Sequence, residues 1–174
     1  MEASNNSSST SSSTSTIAVV PSPYKRILVP YDGSEISDRA LNHAIYVAKM
    51  ANAEIVIFHV MENDSIPPSA LLAFIKPDAG LTDARERLRA AFEGAAARML
   101  EEKVRAAKAS GVNGVSTKIS SGKPADAIVI ESEANEYDLI VMASSRIASS
   151  IRALGSTARR VLDSTKKPVL LVHE

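Results

Sequence analysis

Short apolar runs alternate with segments of helical periodicity along most of this chain. The runs predicted as strands cover residues 25–30, 53–60, 115–121, 138–142 and 168–173. The first helical segment begins after Ser34, and three others cover residues 82–110, 124–135 and 156–165. Alternating strands and helices predict parallel pairing with right-handed crossovers. Most of the strands are continuously apolar, which is typical of a sheet covered on both faces. We therefore predict an α/β, doubly wound, five-stranded parallel sheet.

Two helix starts and one helix end are marked in the sequence. Ser34 is a good N-cap, and Glu35 and Asp38 follow it in the first turn. Thr82 is expected to cap the longest helix, which Gly111 ends. The face of this helix that we expect to be buried consists of Leu88, Ala91, Phe92, Ala95, Met99 and Ala107.

The first 22 residues differ from the rest, because residues 4–16 are almost entirely Ser, Thr and Asn. Such a composition cannot bury enough apolar surface to order itself, so residues 1–22 are predicted to be a disordered and dispensable tail. The folded domain is predicted to span residues 24–174. The long connection over residues 61–80 contains three prolines and is expected to form a lid or to include a short helix at 69–75.

Composition excludes several classes of protein. Lys+Arg and Asp+Glu are 20 each, so the chain lacks the basic excess that is usual in nucleic-acid-binding proteins. It has no cysteine, which excludes disulfides and is compatible with a cytoplasmic location. No apolar run is long enough to span a membrane, and the three histidines show no metal-ligand spacing. We expect neither a nucleic-acid nor a membrane partner.

Two strand-to-loop junctions carry the candidate chemistry. The first runs from Pro30 into Tyr31, Asp32, Gly33 and Ser34. The second runs from Met142 into small residues, and further on Gly155, Ser156 and Thr157 begin a helix. A helix start offers free N–H groups and a favourable dipole to an anion. Ligands of doubly wound sheets bind at the switch point of strand order, although periodicity does not identify the strands that flank it.

The chain from Tyr24 to Glu174 resembles the universal stress protein family in its single-domain form. The matching segments are KRILVPYDGSE at 25–35, IVIFHV at 55–60, GKP at 122–124, DLIVM at 138–142, Gly155-Ser156, and KPVLLV at 167–172. The resemblance implies strand order 3-2-1-4-5, so that strands one and four flank the switch point. It also implies a homodimer paired through the fifth strands.

The resemblance further implies a site for ATP or another adenine nucleotide, with Mg²⁺ at the phosphates. In members that bind ATP, the backbone after strand one and an acid matching Asp32 line the adenosine, and the position of Val60 packs on the adenine. The phosphates lie along a loop of pattern G-x2-G-x9-G-[ST]. The nucleotide-binding residues expected here are Pro30, Tyr31, Asp32, Val60, Met142, Ala143, Ser145, Arg146, Gly155, Ser156 and Thr157.

This sequence departs from the family's loop pattern. Ala143 and Ser145 occupy positions where glycine is usual, Ala148 replaces a third common glycine, and the loop is one residue shorter. Alanine adopts φ > 0 poorly, so we expect weak nucleotide binding or an altered phosphate geometry. Arg146 could pair with a phosphate in place of the glycines. The family also has a branch without ATP, so action through protein contacts or another small ligand remains the alternative.

No catalytic constellation stands out in the sequence. It has no Walker lysine motif, no Ser-His-Asp set and no paired carboxylates with a plausible partner. We therefore expect a protein that is not an enzyme, although slow ATP hydrolysis is compatible with the resemblance. The segment from Pro168 to Val172 is apolar without a charged residue, and such an edge invites pairing. His59 is expected in the core with a satisfied ring nitrogen, and Asp138 is expected to be structural.

Overall fold

Five parallel strands form one sheet in the computed structural model, which describes residues 21–62, 81–144 and 154–173. The strands are β1 (Arg26–Pro30), β2 (Glu54–Met61), β3 (Val115–Ser121), β4 (Leu139–Ser144) and β5 (Val169–His173). Their order is β3-β2-β1-β4-β5, and every neighbouring pair is parallel. The predicted doubly wound sheet and its strand order are confirmed.

Helices cover both faces of this sheet. They are α1 (Glu35–Ala51), α2 (Leu81–Ala109), α3 (Pro124–Ala134) and α4 (Ser156–Ser164). Successive residues of β1 point to opposite faces, as the two-residue period of a strand requires. Ile27 packs in one apolar cluster with Leu41 of α1 and Leu100 of α2. Leu28 packs in the other with residues of α3 and α4.

Three of the four predicted helix starts are correct, including Ser156 for α4, and one is wrong. Ser34 caps α1, and its Oγ accepts a hydrogen bond from the Ser37 N–H at 3.2 Å. Pro124 occupies the first position of α3, where its missing N–H costs nothing. Thr82 is not the cap of α2, because Leu81 is already helical.

The predicted buried face of α2 is also partly wrong. Leu88 and Ala107 are buried and Met99 is half-buried, but Ala91, Phe92 and Ala95 are exposed. The buried positions instead include Ala84, Ala96 and Leu100. Alanine recurs on several sides of this helix, so apolar spacing alone does not identify the side that faces the sheet.

A buried acid links the edge strand β3 to helix α3. Glu131 is 6% exposed, and its carboxylate accepts from Lys118 Nζ at 2.5 Å, Tyr137 OH at 2.8 Å and Asn135 Nδ2 at 3.1 Å. The Arg26 guanidinium lies 5.0 Å from the centre of the Tyr137 ring. Burial raises the pKa of Tyr137 well above its ordinary value, and the hydrogen bond to Glu131 raises it further. Tyr137 therefore stays a neutral donor to this carboxylate.

Some of the expectations from sequence lie outside the described residues. These are most of the predicted tail, at residues 1–20, and the predicted helix at 69–75.

Asp138 is structural, as predicted, because its Oδ2 accepts from the backbone N–H groups of Lys25 and Arg26 at 2.7 and 2.9 Å. Among the described helices, none combines the length and the apolar character needed to cross a bilayer.

Candidate functional site

β1 and β4 are parallel neighbours, so their carboxyl ends lie at the same end of the sheet. Ile27 pairs with Leu139 and Leu28 with Ile140, while the other edge of β1 pairs with β2. From β1 the chain crosses over to β2, and from β4 it crosses in the opposite direction to β5. A crevice opens between two crossovers that diverge in this way, and it is the usual ligand site of such sheets. The two junctions predicted from sequence therefore meet at the switch point.

The loop after β1 presents an exposed carboxylate at this crevice. Asp32 Oδ1 accepts from the Ser34 N–H at 2.9 Å and from the Ser34 hydroxyl at 2.6 Å. Partial burial raises the pKa of the Asp32 carboxyl, but the hydrogen bonds from Ser34 outweigh this effect and hold the pKa below its usual value. Gly33 has φ +86°, a conformation that suits glycine. Asp32 is therefore ionised and held in one orientation at neutral pH.

Tyr31 supports this loop from below. It is 3% exposed, and its backbone N–H donates to the Phe58 carbonyl at 2.8 Å. Its carbonyl lies 2.8 Å from Nδ1 of His59, and since a carbonyl can only accept, the Nδ1 carries the proton. This ring nitrogen of His59 is satisfied, as predicted, but the residue is half-buried and not in the core. Both backbone polar groups of Tyr31 thus bind β2 residues.

Ala143 belongs to a strand and not to the loop predicted from sequence. Strand β4 continues to Ser144, because Ala143 pairs with Val172 and Ser144 with His173 of β5. Among the described residues other than glycine, only Asn52 has a positive φ. The expected strain from alanine at a position that requires φ > 0 is therefore wrong for Ala143. Met142, just before it, is buried against α3 and α4.

The start of α4 faces the end of β4. Gly155 is its N-cap with φ −56° and ψ 148°, and as a glycine it has no side chain to cap the helix. The Gly155 N–H lies 3.4 Å from Ser144 Oγ, a weak hydrogen bond. Ser156 is exposed and Thr157 is half-buried. The first N–H groups of a helix have no partners within it, so this end can receive an anion.

The remaining predicted site residues are divided between described and undescribed parts of the chain. Val60 is half-buried near the end of β2 and packs against the cluster that contains Leu28. Pro30 ends β1. Ser145 and Arg146 lie outside the described residues. Ser144 was not predicted, although it is 2% exposed and contacts the start of α4. Ser144 directly follows an apolar run in the sequence, and this position at a strand end could have identified it as a site residue.

Two open clefts lie away from the switch point. One, of about 920 Å³, lies at the opposite end of the strands, beside the starts of β1, β2 and β4. Three basic residues (Lys25, Arg26 and Lys167) and three acids (Glu54, Glu136 and Asp138) line it, so it has no excess charge to select an ion. The other, of about 740 Å³, lies between β3 and α2. We assign the candidate site to the switch point, where an exposed carboxylate follows β1 and a helix start contacts the end of the neighbouring strand β4.

Comparison with known proteins agrees with this geometry. The model of the universal stress protein family matches residues 23–173. The universal stress protein MJ0531 of Methanocaldococcus jannaschii is 32% identical over 154 residues, covering 87% of this chain and 83% of its own. The solved structure of MJ0577, from the same organism, is 25% identical with a TM-score of 0.70, covering 88% of this chain and 98% of its own. A universal stress protein crystallised in complex with cAMP is 26% identical with a TM-score of 0.58. The match covers 87% of this chain and 98% of that protein.

Proposed function

The chain belongs to the universal stress protein family, and from this premise we propose that it is a regulatory stress-response protein that binds an adenine nucleotide at the switch point. The observation that carries the proposal is that the Asp32 loop follows β1 while the start of α4 contacts the end of the neighbouring strand β4. The similar family member in complex with cAMP supports this ligand class.

Each described residue of the proposed site has a role that suits its chemistry. Asp32, an ionised and oriented acceptor, binds the ribose hydroxyls. Val60 supplies an apolar surface to the adenine. The N–H groups of Gly155, Ser156 and Thr157 bind phosphate oxygens, where the dipole of α4 favours negative charge.

Weak binding and a role for metal belong to the same proposal. Ser145 replaces a glycine of the family pattern, while Arg146 supplies a charge to the phosphates. Among residues 21–62, 81–144 and 154–173, no three acids or histidines are grouped closely enough to hold a metal ion. In this proposal, Mg²⁺ is bound chiefly by the phosphates. Regulation by occupancy, and not catalysis, is the function that we infer.

We expect Asp32→Ala to raise the Kd for ATP by roughly tenfold to a hundredfold, since a hydrogen bond to a charged group contributes about 1.5–3 kcal/mol. Gly155→Val should also weaken binding, because the valine side chain would occupy the space through which the phosphates approach the helix start. Isothermal titration of the full chain with ATP, ADP and AMP measures both effects.

Asp163→Ala is the matched control, since it removes an exposed acid near the other end of α4 and should leave the Kd unchanged. An absence of heat with all three nucleotides at millimolar concentration would refute the nucleotide proposal. The alternative, a family member that acts through protein contacts or another small ligand, would then take its place.

We also propose a homodimer joined through β5, and we expect Leu170→Lys to weaken it. β5 is an edge strand paired only with β4, and Leu170 on it is 36% exposed. Leu162→Lys is the control, because Leu162 is equally exposed at 37% but lies on α4. Sedimentation equilibrium of the wild type and both variants tests the interface. A wild-type protein that sediments as a monomer at micromolar concentration would contradict this prediction.

A further inference from the structure

Three side chains converge beneath the Asp32 loop. The Tyr31 hydroxyl donates to Asp38 Oδ1 at 2.6 Å, and Lys103 Nζ binds the same oxygen at 2.6 Å. Lys103 Nζ also lies 5.6 Å from the centre of the Tyr31 ring, within the range of a cation–π contact. Tyr31 follows β1, Asp38 lies in the first turn of α1, and Lys103 belongs to α2. The cluster therefore ties three elements together at one oxygen atom.

The loop above this cluster is connected to it by a chain of hydrogen bonds. Asp32 is oriented by Ser34, and the Ser34 hydroxyl in turn accepts from the Ser37 N–H. The Asp38 N–H donates to the Ser34 carbonyl at 3.0 Å. A Cβ on Gly33 would lie 3.0 Å from Met99 Sδ, so α2 contacts the loop directly, one turn before Lys103. The orientation of Asp32 thus depends on where α1 begins.

The protonation states suit this arrangement. Partial burial raises the pKa of the Asp38 carboxyl, but hydrogen bonds from Lys103 and Tyr31 outweigh this effect and lower it. The hydrogen bond to Asp38 raises the pKa of Lys103, and burial is the main cause of the raised pKa of Tyr31. At neutral pH, two donors therefore share one ionised acceptor.

We propose that Lys103 is a positioning residue of the candidate site. By binding Asp38 and making a cation–π contact with Tyr31, it holds the Asp32 loop in its ligand-binding geometry. An isolated ion pair at this exposure contributes little to global stability. This pair differs because its acceptor also binds a buried tyrosine that precedes Asp32 by one residue. The effect of Lys103 therefore falls on the loop more than on the whole domain.

The order of the loop is measured without any ligand, by NMR hydrogen exchange of the Ser34 and Ser37 amides in the full chain. The Ser34 amide donates to Asp32 Oδ1, so its exchange reports the geometry of that carboxylate. We expect Lys103→Met to speed both exchange rates by about fivefold, with Tm nearly unchanged. Lys103→Arg should restore slow exchange, and Lys108→Met, on an exposed residue of the same helix, should have no effect.

The consequence for binding rests on the proposed function and is measured separately. If the wild type binds ATP, Lys103→Met should raise its Kd by about fivefold, and Lys103→Arg should restore it. Unchanged exchange in Lys103→Met would overturn the positioning role, as would faster exchange with an unchanged Kd. Faster exchange in a protein that binds no nucleotide would support the ordering role and refute the nucleotide proposal instead.

Discussion

Ile27→Ala is expected to lower the free energy of unfolding by roughly 2–5 kcal/mol, the range for a large-to-small change in a close-packed core. Ile27 lies on the central strand β1, is 0% exposed, and sits between Ile55 of β2 and Leu139 of β4. Helices cover this face, so the surroundings can collapse only partly into the space left by the lost carbons. For a chain of this size, Tm should fall by about 4–20 °C.

Ile130→Ala is the matched control for this prediction. Ile130 lies on α3 and is 67% exposed, so the same substitution removes no buried contact there. Alanine also has a higher helix propensity than isoleucine, so stability should change by no more than about 0.5 kcal/mol. Urea denaturation of both variants tests the difference. Equal losses in the two variants would show that Ile27 is not in the core.

Glu131→Ala is expected to cost about 3 kcal/mol of unfolding free energy. The Tyr137 hydroxyl is buried and would lose its acceptor, which costs roughly 1–3 kcal/mol, and the lost side-chain carbons add to this. Lys118 would be affected less, because its side chain is 49% exposed and can turn to water. Denaturation at neutral pH measures the loss.

Two further variants separate the buried hydrogen bonds from the loss of charge. Glu136→Ala removes an exposed acid two residues beyond the end of the same helix and should be much milder. Adding Tyr137→Phe to Glu131→Ala removes the orphaned hydroxyl, so the double variant should lose less than the sum of the single changes. Strict additivity would contradict the role assigned to the carboxylate.

The strands and their order could be predicted because their signals are local or belong to a family pattern. Continuous apolar runs predicted a sheet covered on both faces, and Ser34 and Pro124 are at the expected starts of their helices. Strand order came from the resemblance, since the pairing of Ile27 with Leu139 leaves no mark in periodicity. The error at Phe92 arises in an alanine-rich helix, where packing against the sheet and not apolar spacing selects the buried side. Thr82 is not the cap because the helix begins one residue earlier, at Leu81.

The place of the predicted site residues in the fold was predictable in part, whereas their contacts were not. Asp32 and Gly155 lie beside the switch point, but the loop was expected to begin at Ala143, whereas pairing with β5 extends β4 to Ser144. Asp38 was interpreted only as an acid in the first turn of a helix. Its bond to Lys103 depends on the approach of α2, since Lys103 follows Asp38 by 65 positions in the sequence. Such contacts are set by tertiary packing and leave no local signal.

The strand order also has a consequence for how the chain is made. Although β1 is synthesised first, it lies in the middle of the sheet, and its bond partner Asp138 follows Arg26 by 112 positions. At about 5–20 residues per second, a ribosome needs roughly 6 to 22 s to cover that distance. During this interval β1 can pair with β2 but has one open edge, which is a template for association with other chains. The nascent protein is therefore most vulnerable to aggregation before β4 emerges.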